Sequence, residues 1–354
     1  MVTMGASFAA ELLNRGAAGY AGMAASQLLD REPELRGQAG AMEAWKLHLG
    51  QRAIELAAAL AAGEPRLFIE RVRWSRKSFA ARGQSDRLLG ASIQSLRDVL
   101  AQALPKHAQD TCATYLDAAL NVLAEPVPAI DGAELDPAQP RDRLALEYLQ
   151  LTLEGRSADA VRKLLQAVAD GLDVKSAYVD VLLPAQREIG RLWHADEISI
   201  AEEHLVTATT RDAMSVLLHT SERAPANGAT LVAACVPGNI HDIGVCALTN
   251  LFQIAGWRTI YLGADVPVAD LPASVEYFQA DLLLLGSTLT THIQPAATAI
   301  KKLRAELDRP VAVLVGGAAF NEAPDLWRTL GADAYAADFD SALQFGAKLV
   351  AGKR

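Results

Sequence analysis

The chain has 354 residues, 51% of them hydrophobic and only 6% aromatic, with a formal net charge of −9. That length and apolar content fit two or three domains with ordinary cores and exclude a disordered chain. The negative charge excludes a general affinity for nucleic acid, which needs Lys and Arg in excess to displace counterions. From about Ala9 to Leu123 apolar positions recur three and four apart, as in Ile54-Glu55-Leu56-Ala57-Ala58-Ala59-Leu60, which predicts a helical domain over 1–124. Residues 125–140, with Pro126, Pro128, Pro137 and Pro140, lose the periodicity and read as a linker. Helical periodicity returns from Arg141 to about His219, broken at Gly155 and near Gly171, and predicts a four-helix bundle over 141–222.

After Ala224-Pro225-Ala226-Asn227-Gly228 the pattern changes. Short apolar runs at Thr230–Val236, Arg258–Leu262, Asp281–Leu285, Val311–Val315 and Ala334–Ala337 alternate with helical stretches, as parallel strands joined by crossover helices do. A doubly wound five-stranded parallel sheet over 229–354 is the expected result. The three cysteines, Cys112, Cys235 and Cys246, lack metal-like spacing, there is no signal-peptide order at the N-terminus, and no apolar run is long enough to span a bilayer. A cytoplasmic protein with reduced thiols is expected, with no membrane contact.

In an open parallel sheet the ligand sits beyond the C-terminal ends of the strands, so the loops there are the ones to read. After strand one comes Gly238-Asn239-Ile240-His241-Asp242-Ile243-Gly244; after strand three, Gly286-Ser287-Thr288-Leu289; after strand four, Gly316-Gly317-Ala318. No Gly-x-Gly-x-x-Gly run follows strand one, which disfavours a dinucleotide. These loops resemble the cobalamin-binding family, whose pattern is Asp-x-His-x-x-Gly, then Ser-x-Leu, then Gly-Gly. The resemblance implies cobalamin as cofactor, a flavodoxin-like domain, and His241 as lower axial cobalt ligand. It also implies cofactor contacts from Asn239, Asp242, Ile243, Gly244, Ser287, Leu289, Gly316 and Gly317. Asn239 stands where the family has aspartate, so the imidazole is expected to be oriented by an amide, with less polarisation than a carboxylate would give. The bland alternative is a loop histidine capping the next helix.

Upstream, Trp193-His194 is followed by Glu203-His204, with nine residues between the tryptophan and Glu203, the first pair ending one helix and the second beginning the next. This resembles the helical cap of the cobalamin-dependent photoreceptors that regulate carotenoid genes, where such residues surround an adenosyl upper ligand. It implies cofactor contacts from Trp193, His194, Glu203 and His204, with His194 as an upper cobalt ligand after photolysis. Taken singly, Trp193 also fits a core aromatic, and Glu203 and His204 a solvated helix start. The chain lacks the Arg/Lys-rich recognition helix of the MerR-type domain those photoreceptors carry, so direct DNA binding is not expected.

The N-terminal domain instead holds Glu70-Arg71-Val72-Arg73-Trp74-Ser75-Arg76-Lys77-Ser78-Phe79, with Trp45, His48, His107 and Tyr115 elsewhere. Basic groups beside aromatics suit a tetrapyrrole with propionates, such as biliverdin, while a solvated basic helix face is the plain alternative. The layout resembles the photocobilins, standalone cobalamin photoreceptors with a bilin. The expectation is a non-enzymatic light sensor binding adenosylcobalamin in preference to methylcobalamin, homo-oligomeric and acting through a protein partner. The alternative is a corrinoid methyl-carrier subunit of a methyltransferase system. A mutase is disfavoured for want of a catalytic barrel of ~250 residues.

Overall fold

The computed structural model describes residues 4–125 and 135–351. Residues 126–134 of the expected linker lie outside that description. By contacts the chain divides into two compact units. The first joins Met1–Pro128 to Leu289–Pro295 and Asn321–Thr329; the second comprises Ala129–Thr288, Ala296–Phe320 and Leu330–Arg354. The expected bundle and sheet thus form one unit.

The first unit holds α1 (Met4–Arg31), α2 (Pro33–Arg36), α3 (Ala41–Ala62), α4 (Pro65–Ala81), α5 (Asp86–Ala103) and α6 (Lys106–Leu123). Small residues let α1 and α3 approach closely: Ala17, Ala21, Ala24 and Ala25 are buried on one helix, Ala53, Ala57 and Ala58 on the other. A Cβ placed on Gly50 would already stand 3.8 Å from that of Ala21. Two arginines stitch the helices from inside. Arg52, buried, donates to Ser75 Oγ (2.7 Å), Arg71 O (3.1 Å) and Glu55 (3.0 Å). Arg76, also buried, pairs with Asp86 and donates to the carbonyls of Val122, Leu123 and Glu125, satisfying the acceptors that the end of α6 leaves open.

The second unit begins with the bundle. Its helices are α7 (Pro140–Leu153), α8 (Ser157–Ala169), the short α9 (Val174–Ser176) leading through a π-helical turn (Ala177–Leu182) into α10 (Leu183–His194), and α11 (Ile200–Thr220). Gly155 (φ 76°) and Gly171 (φ 109°) make the left-handed turns that end α7 and α8, at the predicted breaks. The π turn has a local cause: Pro184 has no N–H to give the carbonyl of Asp180, four residues back, and Leu183 N–H bonds to Tyr178 O, five residues back. Ser199 opens α11 with a reciprocal capping box to Glu202.

The sheet follows, as β1 (Thr230–Cys235), α12 (Ile243–Ile254), β2 (Arg258–Gly263), α13 (Leu271–Tyr277), β3 (Leu282–Gly286), α14 (Ile293–Glu306), β4 (Ala312–Gly316), α15 (Ala318–Glu322), α16 (Leu326–Leu330), β5 (Ala334–Ala336) and α17 (Phe339–Ala351). All pairings are parallel and the order is β2-β1-β3-β4-β5. β1 and β3 are buried at every residue, as strands covered on both faces must be. The order reverses between β1 and β3, which opens a crevice beyond their C-terminal ends. Among the described residues no helix is long and apolar enough to cross a membrane.

Candidate corrinoid site

The turn after β1 is built by backbone demands. Gly238 sits at φ 80° and its N–H donates to Asp265 Oδ1 at 2.7 Å, while Asp265 N–H returns to Asn239 O at 3.1 Å. Asp265 itself takes a left-handed φ of 50°, a conformation aspartate tolerates better than most residues. Asn239 is fully buried: its Oδ1 accepts the His241 backbone N–H at 3.1 Å and its Nδ2 donates to Gly286 O at 3.0 Å. The amide therefore holds the turn and the end of β3, not the imidazole, which corrects the expected ring-orienting role. The result is an exposed His241 presented from a rigid turn, and the N-cap position of α12 falls on Asp242.

Asp242, expected as a cofactor contact, is turned into the protein. Arg211 of α11 engages both of its carboxylate oxygens, one at 3.0 Å, and Tyr261 of β2 donates to Oδ2 at 2.6 Å. Burial pushes this carboxyl up, but the hydrogen bonds from Arg211 and Tyr261 and the guanidinium charge outweigh it and hold it below its ordinary value. Ile243 packs against the apolar core shared with the bundle. Gly244 is exposed, and a Cβ there would meet nothing within 4 Å.

Beyond β3 and β4 the chain approaches itself. Gly317 (φ 103°) lies so near the Ser287 backbone that a Cβ would stand 2.4 Å from Ser287 O, so this glycine serves loop-to-loop contact. A Cβ on Gly316 would meet Ala336 O at 3.2 Å. Ser287 is 1% exposed and its Oγ has no hydrogen-bond partner, a costly state that a polar ligand group would relieve. Leu289 clusters with the helical unit, where its N–H is capped by His292 Nδ1 at 3.0 Å.

In the bundle, Trp193 and His194 are half-buried at the end of α10. Glu203 and His204 lie in the first turn of α11, His204 Nδ1 at 2.6 Å from Glu203 Oε2 and Thr207 Oγ1 at 2.8 Å from Oε1. Sequence reasoning missed Arg211, Tyr261, Asp265, Gln186 and Thr207. Arg211, Tyr261 and Asp265 act on Asp242, Gly238 and Asn239 through contacts between elements, whereas Thr207 acts on Glu203 within α11 and Gln186 acts through Thr207.

In the helical unit the basic run is largely consumed by pairing: Arg71 with Glu322, Arg73 with Glu70 (2.8 Å), Arg76 with Asp86 (2.7 Å). Trp45, His48 and Phe79 do gather, with ring centroids 5.3 to 6.1 Å apart, whereas His107 stacks on Phe8 and Tyr115 is buried. His48 Nε2 is buried without a partner, and burial, with the Arg52 charge, pushes its pKa down to about 3.

Among the described residues no cluster of three or more His, Cys, Asp or Glu could hold a bare metal ion. A corrinoid needs none, because its macrocycle brings four nitrogens and asks the protein for one axial donor. The exposed His241, the open space at Gly244 and the orphaned Ser287 hydroxyl fit such a group.

Comparison with known proteins agrees. Residues 229–344 match a family model described as the B12 binding domain, and residues 144–218 match a second model of the same description. The HTH-type transcriptional repressor CarH of Myxococcus xanthus is 28% identical over 188 residues, 53% of this chain and 62% of that protein. Dimethylamine corrinoid protein 2 of Methanosarcina acetivorans is 32% identical over 125 residues, 35% of this chain and 56% of that protein. The chain thus spans somewhat over half the length of these two relatives. The fold of the monomethylamine corrinoid protein of Methanosarcina barkeri superposes with a TM-score of 0.53 at 20% identity, covering 59% of this chain and 99% of that one. These matches support cobalamin binding by the bundle and sheet.

Proposed function

We propose that the chain is a non-enzymatic light sensor that holds adenosylcobalamin between bundle and sheet, with His241 as lower axial ligand. The observation that carries this reading is the α10–α11 end of the bundle, where Trp193 and His194 are followed by a Glu203 carboxylate already fixed by His204 and Thr207. A bound adenosylcobalamin supplies a cobalt–carbon bond that visible light breaks. The residues supply the rest. Trp193, Glu203 and His204 contact the upper ligand in the dark and lose that contact in the light, which is the differential interaction a switch requires. His194, the last residue of α10, would take the upper position afterwards. Asn239, Gly244, Ser287, Gly316 and Gly317 shape the lower side.

The output is a change in homo-oligomer or in a protein partner rather than direct DNA binding. α11 leaves Ile200, Leu205 and Val216 exposed, apolar surface that a shift of this helix would re-expose or cover. A bilin as second chromophore is proposed for the Trp45, His48 and Phe79 cluster, on the strength of the buried, unpartnered His48 Nε2. Biliverdin added to the protein then shifts in absorbance, and an unshifted spectrum dismisses that part.

The second reading is a corrinoid methyl carrier, favoured by the 32% identical relative named a dimethylamine corrinoid protein. Affinity and mass separate the two. A light sensor of this kind binds adenosylcobalamin more tightly than methylcobalamin, and its loaded form changes mass on size-exclusion chromatography after green light. Preference for methylcobalamin, with a mass indifferent to light, selects the carrier.

A further inference from the structure

The bundle core contains a polar chain that packing alone does not call for. Tyr148 of α7 and Thr210 of α11 are both fully buried and lie 3.2 Å apart, hydroxyl to hydroxyl. The side-chain amide of Gln186, on α10, spans from Thr210 Oγ1 (2.8 Å) to Thr207 Oγ1 (3.2 Å). Thr207 then reaches Glu203 Oε1 at 2.8 Å, and His204 closes the other oxygen at 2.6 Å. Four links therefore run from the middle of the bundle to the carboxylate at its end, and His204 adds a fifth on its far side.

The placement is systematic. Glu203, Thr207 and Thr210 are spaced four and three along α11 and share one face; Gln186 and Trp193 are seven apart on α10 and share another. Gln186 thus braces the Trp193 face of one helix against the Glu203 face of the next. The Thr207 proton decides how the chain meets the carboxylate. A threonine hydroxyl has one proton, and the carboxylate is a better acceptor for the Thr207 proton than an amide oxygen. Gln186 Nε2 donates to Thr210 Oγ1, and the Thr207 hydroxyl lies between Gln186 Oε1 and Glu203 Oε1, with the carboxylate the nearer and stronger acceptor. One lone pair on each Glu203 oxygen stays available to a ligand.

Polar groups in a bundle core are costly unless fully paired, and fully paired networks fix geometry. We propose that Gln186 and Thr207 are positioning residues that lock the Glu203 carboxylate in one orientation and thereby set the preference for an adenosyl over a methyl upper ligand. The inference rests on the reading of α10–α11 as an upper-ligand cap.

The test titrates adenosylcobalamin and methylcobalamin separately into the 354-residue chain and into Glu203→Gln, Gln186→Leu, Thr207→Val and Thr207→Ser, following corrin absorbance. The quantity read is the ratio of the two dissociation constants, which cancels a general loss of cofactor binding. Wild type is expected to favour adenosylcobalamin, Gln186→Leu and Thr207→Val to lose about tenfold of that preference, and Thr207→Ser to keep it, since one hydrogen bond to a charged group is at stake. If Glu203→Gln loses the preference while Gln186→Leu and Thr207→Val keep it, the positioning role is overturned and the cap reading stands. If wild type shows no preference, the cap reading falls and this inference with it. Should Gln186→Leu fail to fold, the Thr207→Val and Thr207→Ser pair decides alone.

Discussion

Asn239 uses one amide for two backbone groups, and a carboxylate is not equivalent there. Asp at this position would keep the bond from His241 N–H but set a carboxylate oxygen against the buried carbonyl of Gly286. Asn239→Asp is therefore expected to lower the unfolding free energy of the cofactor-free protein by about 1–3 kcal/mol, read by urea denaturation, because a buried acceptor loses its donor and faces a second acceptor. Equal stability would mean that the turn relaxes freely. The position of His241 was legible from its setting between a strand and Gly244, but the work of Asn239 was not. An amide side chain two residues before a histidine looks like a ring partner until the fold shows Gly286 O on its other side.

At the scale of elements, α11 joins two chemistries. Its first turn carries Glu203 and His204, and two turns on Arg211 grips Asp242, the neighbour of His241. The Asp242 side chain is 6% exposed and that of Arg211 42%. Arg211→Ala leaves a buried carboxylate with Tyr261 as its remaining side-chain donor and is expected to cost about 2 kcal/mol, below the range of fully buried pairs because Arg211 is partly solvated. The double variant with Asp242→Asn should recover part of that loss in a denaturation cycle, and strict additivity of the two single changes would deny the coupling. Strands were legible to within a residue of their ends because each is a short run bounded by turn residues, buried throughout in β1 and β3 and in all but the last residue of β4, though β2 is largely half-buried. The Arg211–Asp242 pair, and the chain from Tyr148 to Glu203, were not. Polar residues at helical spacing look solvated in sequence, and only the packing of α7, α10 and α11 turns them inward. The π turn before Pro184 was equally hidden, since proline signals a disturbed helix without saying how the ladder adapts.

Across the whole molecule, the two units differ in how they bury charge. Among the described residues the sheet unit buries the carboxylates of Asp242, beside the candidate site, and Glu188, in the bundle, each against a more exposed arginine, whereas the helical unit buries Arg52, Glu55 and Arg76 among its helices beside His48 Nε2. His48 stays neutral in the folded chain, held down to about 3 by burial and by Arg52, whereas the unfolded chain takes up a proton below its ordinary 6.5. The unfolded state then binds more protons, so stability is full above pH 6.5 and is lost as pH falls toward 3. The urea midpoint of the helical unit's transition should decline between pH 6.5 and 4, and His48→Phe, which keeps the aromatic packing with Trp45 and Phe79, should flatten that decline. An unchanged slope in the variant would assign the acid sensitivity elsewhere.

The light-sensing reading stands or falls on what visible light does to the loaded protein. The direct measurement is the absorption spectrum of the 354-residue chain reconstituted with adenosylcobalamin, recorded in the dark and again after green light. The expected result is a changed corrin spectrum that persists when the sample is returned to darkness, with His194→Ala altering the illuminated spectrum and leaving the dark one as it was. Identical spectra before and after illumination would contradict it.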